Sequence, residues 1–388
     1  MKLLKRIMLP TLITIAGVHA HAQSVQQERV TETFNELDIF SSEEYQVVDI
    51  KKQVAKTVAA QIQMLTPRLQ TMMSDLRLAV PLEASLMSGG AAEQVNVASS
   101  YTRMLKGLNV SNNAIYQLRL ADGAMLERWG KGEQPLIAFA PKGDDTSWLY
   151  IEAYDQDGNI QLLDAHTMPS QPVLIVEIDA RKSAREGLAI MQSIFAQNQD
   201  TETSAIITSS ENDADVLSTS NLQRIRLNDD KEPWISGNAE IYAVVTGVSP
   251  TRDEPILDIV DMPYLDNDGR DYTPNQTLIH WNRYRWQAAD VLLMEQDDNT
   301  NYQTLATTFL DIVTQAMRAI PDPNVQGYAI IPQLTNQLIK AMPAHWFSND
   351  DDYVDVFYTL FEGQNYTNYM GASGNAKVTI KPLDINPR

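Results

Sequence analysis

The sequence contains no cysteine among its 388 residues. This absence excludes disulfides, thiol nucleophiles and thiolate metal sites, so the fold must be stabilised by burial of apolar side chains. Apolar residues make up 44% of the chain, a proportion typical of globular domains and not of disordered segments. At this length we expect two domains, each large enough to have its own core.

Histidine and clustered glycine are also scarce, which excludes several catalytic motifs. The chain has five His, and it contains no HExxH zinc motif, no Gly-x-Ser-x-Gly elbow and no phosphate-binding glycine loop.

Basic residues are outnumbered by acidic residues, because 30 Lys plus Arg stand against 50 Asp plus Glu, which gives a net charge of −20. Such a charge repels phosphate backbones, so we expect neither nucleic acid nor simple docking on anionic lipid.

The first 22 residues have the pattern of an export signal. Basic residues open the segment, an apolar run follows from 7 to 18, and a small-residue site, Ala20-His21-Ala22, ends it. The apolar run is shorter than the ~20 residues that a membrane-spanning helix needs. We therefore expect residues 1–22 to be removed, and a soluble mature protein in the periplasm or outside the cell.

The rest of the chain is predicted to be an α+β protein in two parts. Residues 23–196 are expected to form an N-terminal domain of helices and a small sheet. Apolar residues spaced by three or four from 43 to 76 indicate two helices that meet at Pro67. Strands are predicted at 135–140, 148–154, 160–163 and 172–178, and a further helix at 184–195.

A polar stretch at 197–220, rich in Ser, Thr, Asn and acids, is the expected linker to the second part. Residues 221–388 are predicted to form an antiparallel β-sandwich, because short apolar runs alternate with turns. Its predicted strands are 222–227, 239–245, 256–260, 277–281, 290–294, 353–361 and 378–380. Helical spacing at about 302–342 predicts a helical insertion between the fifth and sixth of these strands.

Acidic clusters follow the strands of this second part, most densely between 257 and 302. Like charges packed so closely suggest a cation, and calcium accepts six to eight oxygen ligands from irregular loops. The strand, acidic loop and returning strand of 222–245 resemble the opening of a synaptotagmin-type calcium-binding β-sandwich. Ile279-His280-Trp281-Asn282 and the strand that ends in Glu295-Gln296-Asp297-Asp298 resemble two further elements of that family. The resemblance implies calcium as the cofactor and the following ligands: Asp229, Asp230, Asp258, Asp261, Glu295, Asp297 and Asp298.

The resemblance does not extend to membrane docking, because the lipid-binding basic patch of that family is not evident. It favours an exported binding or interaction protein whose calcium-ordered loops present a site for a protein or a carbohydrate. Taken whole, the chain also resembles a family of exported bacterial proteins of unassigned function.

Four alternatives stay open at this stage. The acids could be ordinary solvated residues of loops. The protein could be an exported hydrolase with paired carboxylates or a Ser/His/Asp site, or a structural protein of the cell envelope. The aromatic residues Trp281, Tyr284 and Trp286 could stack on a sugar, although aromatics in predicted strands favour a place in the core.

Overall fold

A computed structural model describes residues 46–111, 113–143, 147–198, 216–228, 234–236, 240–296, 298–341 and 353–386. The predicted signal at 1–22 lies outside the described residues, and so does most of the predicted linker. Below, the N-terminal half means residues 46–198 and the C-terminal half means residues 216–386.

The N-terminal half contains helices and one six-stranded sheet. The helices are α1 (Val47–Ala59), α2 (Ile62–Met72), α3 (Gly90–Leu105), α4 (Met125–Gly130) and α5 (Ala180–Asn198). The strands are β1 (Ala79–Pro81), β2 (Tyr116–Leu120), β3 (Leu136–Ala138), β4 (Tyr150–Tyr154), β5 (Ile160–Asp164) and β6 (Val173–Ile178). Their order is β1-β2-β6-β3-β4-β5, with β3 and β6 parallel and the other pairs antiparallel. The four strands and the helix that the sequence predicts here are confirmed.

The first helical stretch divides at residues 60 and 61, so the predicted division at Pro67 is wrong. Gln61 leaves the helical conformation with φ −114° and ψ 3°, and Pro67 lies inside α2. The Thr66 hydroxyl donates to the carbonyl of Ile62 at 2.8 Å, so it acts within a helix and not as a cap. Proline removes one backbone donor there, and the buried apolar face of α2 keeps the helix continuous across it.

The C-terminal half is a β-sandwich, as the sequence predicts. Its strands are β7 (Leu217–Leu227), β8 (Ile241–Val248), β9 (Pro255–Asp261), β10 (Gln276–His280), β11 (Ala288–Glu295), β12 (Tyr353–Phe361), β13 (Tyr366–Met370) and β14 (Ala376–Ile385). They form two four-stranded antiparallel sheets in the orders β10-β7-β14-β13 and β12-β11-β8-β9. Alternate apolar residues from both sheets meet in one buried cluster. Trp281 and Tyr284 belong to that cluster, so their predicted place in the core is confirmed, whereas Trp286 is only partly buried and packs against a second apolar cluster.

Helices cover the outer face of the second sheet. The predicted insertion is confirmed as α6 (Tyr302–Arg318), α7 (Pro323–Gln326) and α8 (Ile330–Ala341). Helix α5 of the N-terminal half packs against α6 and β9, while α8 packs against β8, β11 and β12. In the part of the chain that the structure describes, no helix is long and apolar enough to cross a membrane.

One apolar cluster joins the two halves. It runs from Val47 of α1 through the N-terminal sheet to Tyr242 and Leu292 of the sandwich and Phe309 of α6. Helix α5 extends to Asn198 and β7 begins at Leu217, so the predicted linker at 197–220 overlaps the end of one element and the start of the other. The division into two domains stays a prediction, but contacts of this kind couple the stability of the two halves.

Candidate functional site at the acid-rich end of the sandwich

Several acids gather where three strands of the second sheet begin or end. Strand β9 ends at Asp261, which lies opposite Tyr242, and β11 ends at Glu295, which lies opposite Ile241. Glu240 immediately precedes β8, and its carbonyl accepts the backbone N–H of Gln296 at 3.0 Å. We call this region the acid-rich end, and define it by Glu240, Asp261, Asp266, Glu295 and Asp298.

The pleat of the sheet divides these acids between its two faces. Tyr242 belongs to the cluster under the helices, whereas Ile241 belongs to the core of the sandwich. Because side chains alternate along a strand and directly opposite residues share a face, Glu240 and Asp261 lie on the helical face and Glu295 on the other. Of the seven predicted ligands, Asp261, Glu295 and Asp298 are therefore at this end, and the first two lie on opposite faces.

Asp258 lies apart from the acid-rich end. It is three residues before Asp261 in β9, about 10 Å away along the strand. Arg283 donates to both of its carboxylate oxygens, at 2.7 Å from Nε and 2.6 Å from a terminal nitrogen, and the Tyr284 hydroxyl donates at 2.5 Å. A bidentate guanidinium supplies the positive charge here, so Asp258 already has the role of an ion-pair partner. Asp229, Asp230 and Asp297 lie outside the described residues.

Asp298 is neutralised by lysines of the N-terminal half. Lys51 Nζ of α1 lies 2.6 Å from Asp298 Oδ2, and Lys106 Nζ donates to the Asp298 carbonyl at 2.8 Å. Burial would raise the pKa of this carboxyl, but the charges of Lys51 and Lys106 outweigh that effect and hold the pKa below its usual range. Lys51 and Lys106 are themselves buried, so this contact places positive charge inside the joint between the halves.

A second link joins α5 to the loop that follows β9. Arg181 donates to Asp266 Oδ2 at 2.7 Å, and the Tyr272 hydroxyl donates to Oδ1 of the same carboxylate at 2.8 Å. The Arg181 side chain is more than half exposed, so we expect this pair to contribute less than the Lys51 pair.

Negative charge remains in excess at the acid-rich end even with these partners. Burial, with Glu177 and Asp298 nearby, raises the pKa of Glu240 to about 8, although Arg181 opposes the shift. Burial also raises the pKa of Asp261, and the charge of Arg185 only partly offsets it. Burial also raises the pKa of Glu177 in β6, in spite of the ion pair that Glu177 forms with Arg119. Three carboxyl groups near this joint therefore resist ionisation.

The segment 234–236, in the loop after β7, packs into the N-terminal half. Ile235 is buried in a cluster on the second face of the N-terminal sheet. Arg119 of β2 donates to the carbonyls of Ile235 and Ser236, at 2.9 and 2.8 Å. The Trp234 indole N–H donates to the carbonyl of Asp164 at 3.2 Å. A loop that the resemblance assigned to calcium is thus held, in its described part, by the other half of the same chain.

Within the residues that the structure describes, no three acidic or histidine side chains converge closely enough to hold a metal ion. The predicted ligand set is therefore not assembled by its described members alone, and calcium binding stays a prediction.

A comparison with protein families places the chain in a known group. Residues 51–388 match the family described as "Protein of unknown function (DUF3103)". The chain belongs to that family. The expectation of a family of unassigned function is thereby confirmed, whereas the resemblance to the synaptotagmin-type sandwich stays a prediction. No curated protein and no solved structure matches the chain.

The histidines of this DUF3103 member do not single out a hydrolytic centre. His280 ends β10 within electrostatic range of Asp258, but burial lowers its pKa and the Asp258 carboxylate is bound by Arg283. His166 is exposed, and its backbone N–H donates to Asp164. His345 lies outside the described residues. The exported hydrolase and the structural envelope protein stay predictions.

A buried aspartate that the sequence did not single out lies under α8. Asp290 of β11 is fully buried, and its Oδ1 accepts the backbone N–H of Thr359 at 2.7 Å. Thr359 has φ +53°, an unusual value for a β-branched residue, at a bulge between β11 and β12. Among the described residues, neither Asp290 Oδ2 nor the hydroxyl of Thr246 opposite it has a hydrogen-bond partner. A strand pattern alone gives no signal of this arrangement.

We expect Asp290→Asn to stabilise the protein at neutral pH. Burial raises the pKa of Asp290 to about 6, so the folded state binds a proton that the unfolded state releases. The contribution of Asp290 to the free energy of unfolding is therefore greatest below pH ~4. It falls by up to about 3 kcal/mol as the pH rises to ~6. Urea denaturation at several pH values should show a gain of about 1–3 kcal/mol at pH ~7 that vanishes near pH ~4. Asp384→Asn, at an exposed position, is the control, and an equal gain in both variants would contradict the assignment.

Proposed function

We propose that the chain is an exported binding and interaction protein in which calcium orders the loops at the acid-rich end. The observation that carries the proposal is the position of Glu240 and Asp261 on one face of the sheet, at the adjoining ends of β8 and β9, where burial raises the pKa of both. Burial removes hydration from the ionised carboxylates, and the nearby Arg181 and Arg185 only partly offset this cost, so a bound cation would stabilise the ionised forms.

Two basic side chains of the N-terminal half that reach this end are paired with other acids. Lys51 pairs with Asp298, and Arg181 with Asp266. Arg185 offsets the raised pKa of Asp261 only in part, so Asp261 and Glu240 remain the least compensated carboxyl groups at this end. The other proposed ligands are Asp229 and Asp230, which follow β7 in the sequence, Asp297, which follows β11, and Glu295, which ends β11 on the other face of the sheet. An all-oxygen set contributed by irregular loops suits calcium better than zinc, which favours nitrogen and sulfur ligands, or magnesium, which demands regular octahedral geometry.

The two four-stranded sheets with acids at one end are consistent with the resemblance to the synaptotagmin-type sandwich. Extracellular calcium modules commonly have dissociation constants of roughly 10⁻⁴ to 10⁻³ M, so a weak site would be filled wherever calcium is plentiful outside the cytoplasm. The ordered loops would bind a partner that is a protein or a carbohydrate.

Calcium titration by calorimetry tests the proposal. Roughly 5 mM calcium should stabilise the protein by about 1–2 kcal/mol, because it binds the folded state alone. The affinity should rise between pH ~6 and ~8, since calcium displaces the proton that Glu240 holds in this range.

The decisive variant is Asp261→Asn, which removes one charge with little change of size. It should abolish both the calcium heat and the calcium-dependent stabilisation. Asp253→Asn is the matched control, because Asp253 lies in the turn at the opposite end of β9, where it pairs with Arg285. Absence of calcium heat in the unaltered protein, or the same heat in Asp261→Asn, would contradict a calcium site at the acid-rich end.

A further inference from the structure

The β4–β5 hairpin exposes an apolar surface that the acid-rich end does not explain. Ile160 and Leu162 of β5 are 58% and 64% exposed, and Tyr150 of β4 is 61% exposed. The register pairs Tyr150 with Asp164, Glu152 with Leu162 and Tyr154 with Ile160. Directly opposite residues share a face, so all three exposed apolar side chains lie on the same side of the sheet.

Strand β5 also has an open backbone edge. It is the last strand in the sheet order, and within the described residues no other strand pairs with its outer side. Backbone bonds join Ala165 to Leu149 and Asp155 to Asn159, one pair at each end of the hairpin. Because hydrogen-bonded and non-bonded pairs alternate along an antiparallel ladder, Leu163 and Gln161 are bonded to β4. The N–H and C=O groups of Ile160 and Leu162 therefore point outward.

Neighbouring elements limit this edge without covering it. On the same face, Lys52 of α1 pairs with Glu152 at 2.9 Å, and Lys56 lies 5.6 Å from the centre of the Tyr154 ring. At the far end, the Trp234 indole occupies the carbonyl of Asp164. The open stretch is thus Ile160–Leu162, where outward backbone groups and exposed apolar side chains belong to the same residues.

We propose that this edge binds an extended segment of a partner protein, which adds to β5 as a seventh strand of the six-stranded sheet. The segment would bond to the outward N–H and C=O groups of Ile160 and Leu162, and its alternate apolar residues would cover their side chains and Tyr150. This inference does not depend on calcium or on the acid-rich end.

Charge identifies the chemistry of the occupant. Exposed acids flank the open stretch, with Asp157 at the turn before it and Asp164 after it. A second copy of this chain, with its net charge of −20, would bring the same acids against them. A partner segment with apolar residues at alternate positions and Lys or Arg near its ends complements both features.

Selection from a phage library of random peptides of about ten residues, long enough for one strand, tests the proposal on the full chain. We expect enrichment of peptides with alternating apolar residues and flanking Lys or Arg. Leu162→Lys should weaken their binding by about a hundred-fold, because it removes apolar contact and adds repulsion to the basic ends. The matched control is Leu76→Lys, since Leu76 is fully exposed elsewhere on the N-terminal half.

Leu162→Pro separates strand addition from simple apolar contact. Proline removes an outward N–H and leaves the bonds between β5 and β4 in place, so binding should fall about ten-fold while the fold persists. The proposal is overturned by any of four results: no enrichment on the unaltered chain, equal binding to Leu162→Lys, selection of acidic or helix-patterned peptides, or a concentration-dependent dimer that Leu162→Lys abolishes. The last result would make a second copy the occupant.

Discussion

Replacing Gly187 by alanine should destabilise the protein by about 2–3 kcal/mol, because the added methyl group overpacks a buried contact. A Cβ at Gly187 in α5 would lie only 2.3 Å from ring carbons of Tyr302. The Tyr302 ring is fully buried at the start of α6, and its backbone N–H donates to the carbonyl of Lys106 at 3.0 Å. Neither helix can withdraw without loss of the packing that joins the two halves.

The expected loss of stability in Gly187→Ala is informative because the same substitution usually stabilises a helix. In an open helix, glycine to alanine stabilises by roughly 0.5–1 kcal/mol, because alanine loses less backbone entropy on folding. Gly90→Ala in α3 is the control, since nothing lies within 4 Å of a Cβ there. Chemical denaturation should show a loss for Gly187→Ala and a small gain or no change for Gly90→Ala. Equal gains in the two variants would mean that α5 and α6 do not pack as described.

Lys51→Met should have the second large effect, a loss of about 2–4 kcal/mol. Only 5% of the Lys51 side chain is exposed, and its Nζ is the closest positive charge to the Asp298 carboxylate. Methionine keeps the length of the side chain but leaves only the charge of Lys106 to offset that carboxylate beside Glu240 and Glu177, whose pKa values are already raised. Breaking a buried pair costs about 3–5 kcal/mol, and we expect less because 34% of the Asp298 side chain is exposed.

The neighbouring lysine provides the control for this change. Lys52 pairs with Glu152 at 2.9 Å, but 36% of the Lys52 side chain is exposed, so water screens the pair. Lys52→Met should therefore cost at most about 1 kcal/mol. If both substitutions had equal small effects, the joint at the acid-rich end would not depend on buried charge.

Much of the fold follows from local pattern. Period-two alternation identifies β4, β5 and β7, and period-four apolar spacing identifies α1 and α6. Helix α3 has no such signal, because it buries polar residues whose partners are distant in sequence. Thr102 bonds to the hydroxyl of Tyr116 at 2.6 Å, and Arg103 forms an ion pair with Glu186 of α5. Only tertiary contacts make these side chains acceptable inside the protein.

The candidate site was predictable in composition but not in its charge balance. Acids after strands predict a cation site, and the register places Asp261 opposite Tyr242, two residues from Glu240, which the sequence pattern does not single out. The bases that compensate part of this charge lie far away in sequence, since Lys51 and Asp298 are separated by 247 residues. Arg283, which holds Asp258, is in a turn whose conformation depends on the packing of Trp281 and Tyr284 in the core. A single sequence contains no signal for pairs of this kind.

Scanning calorimetry of the full chain tests whether the two halves unfold as one cooperative body joined at the acid-rich end. We expect a single transition whose calorimetric and van't Hoff enthalpies agree. We also expect Lys51→Met to move that whole transition to lower temperature without dividing it. Two separate transitions in the unaltered chain, with Lys51→Met shifting only one of them, would show that the halves unfold independently.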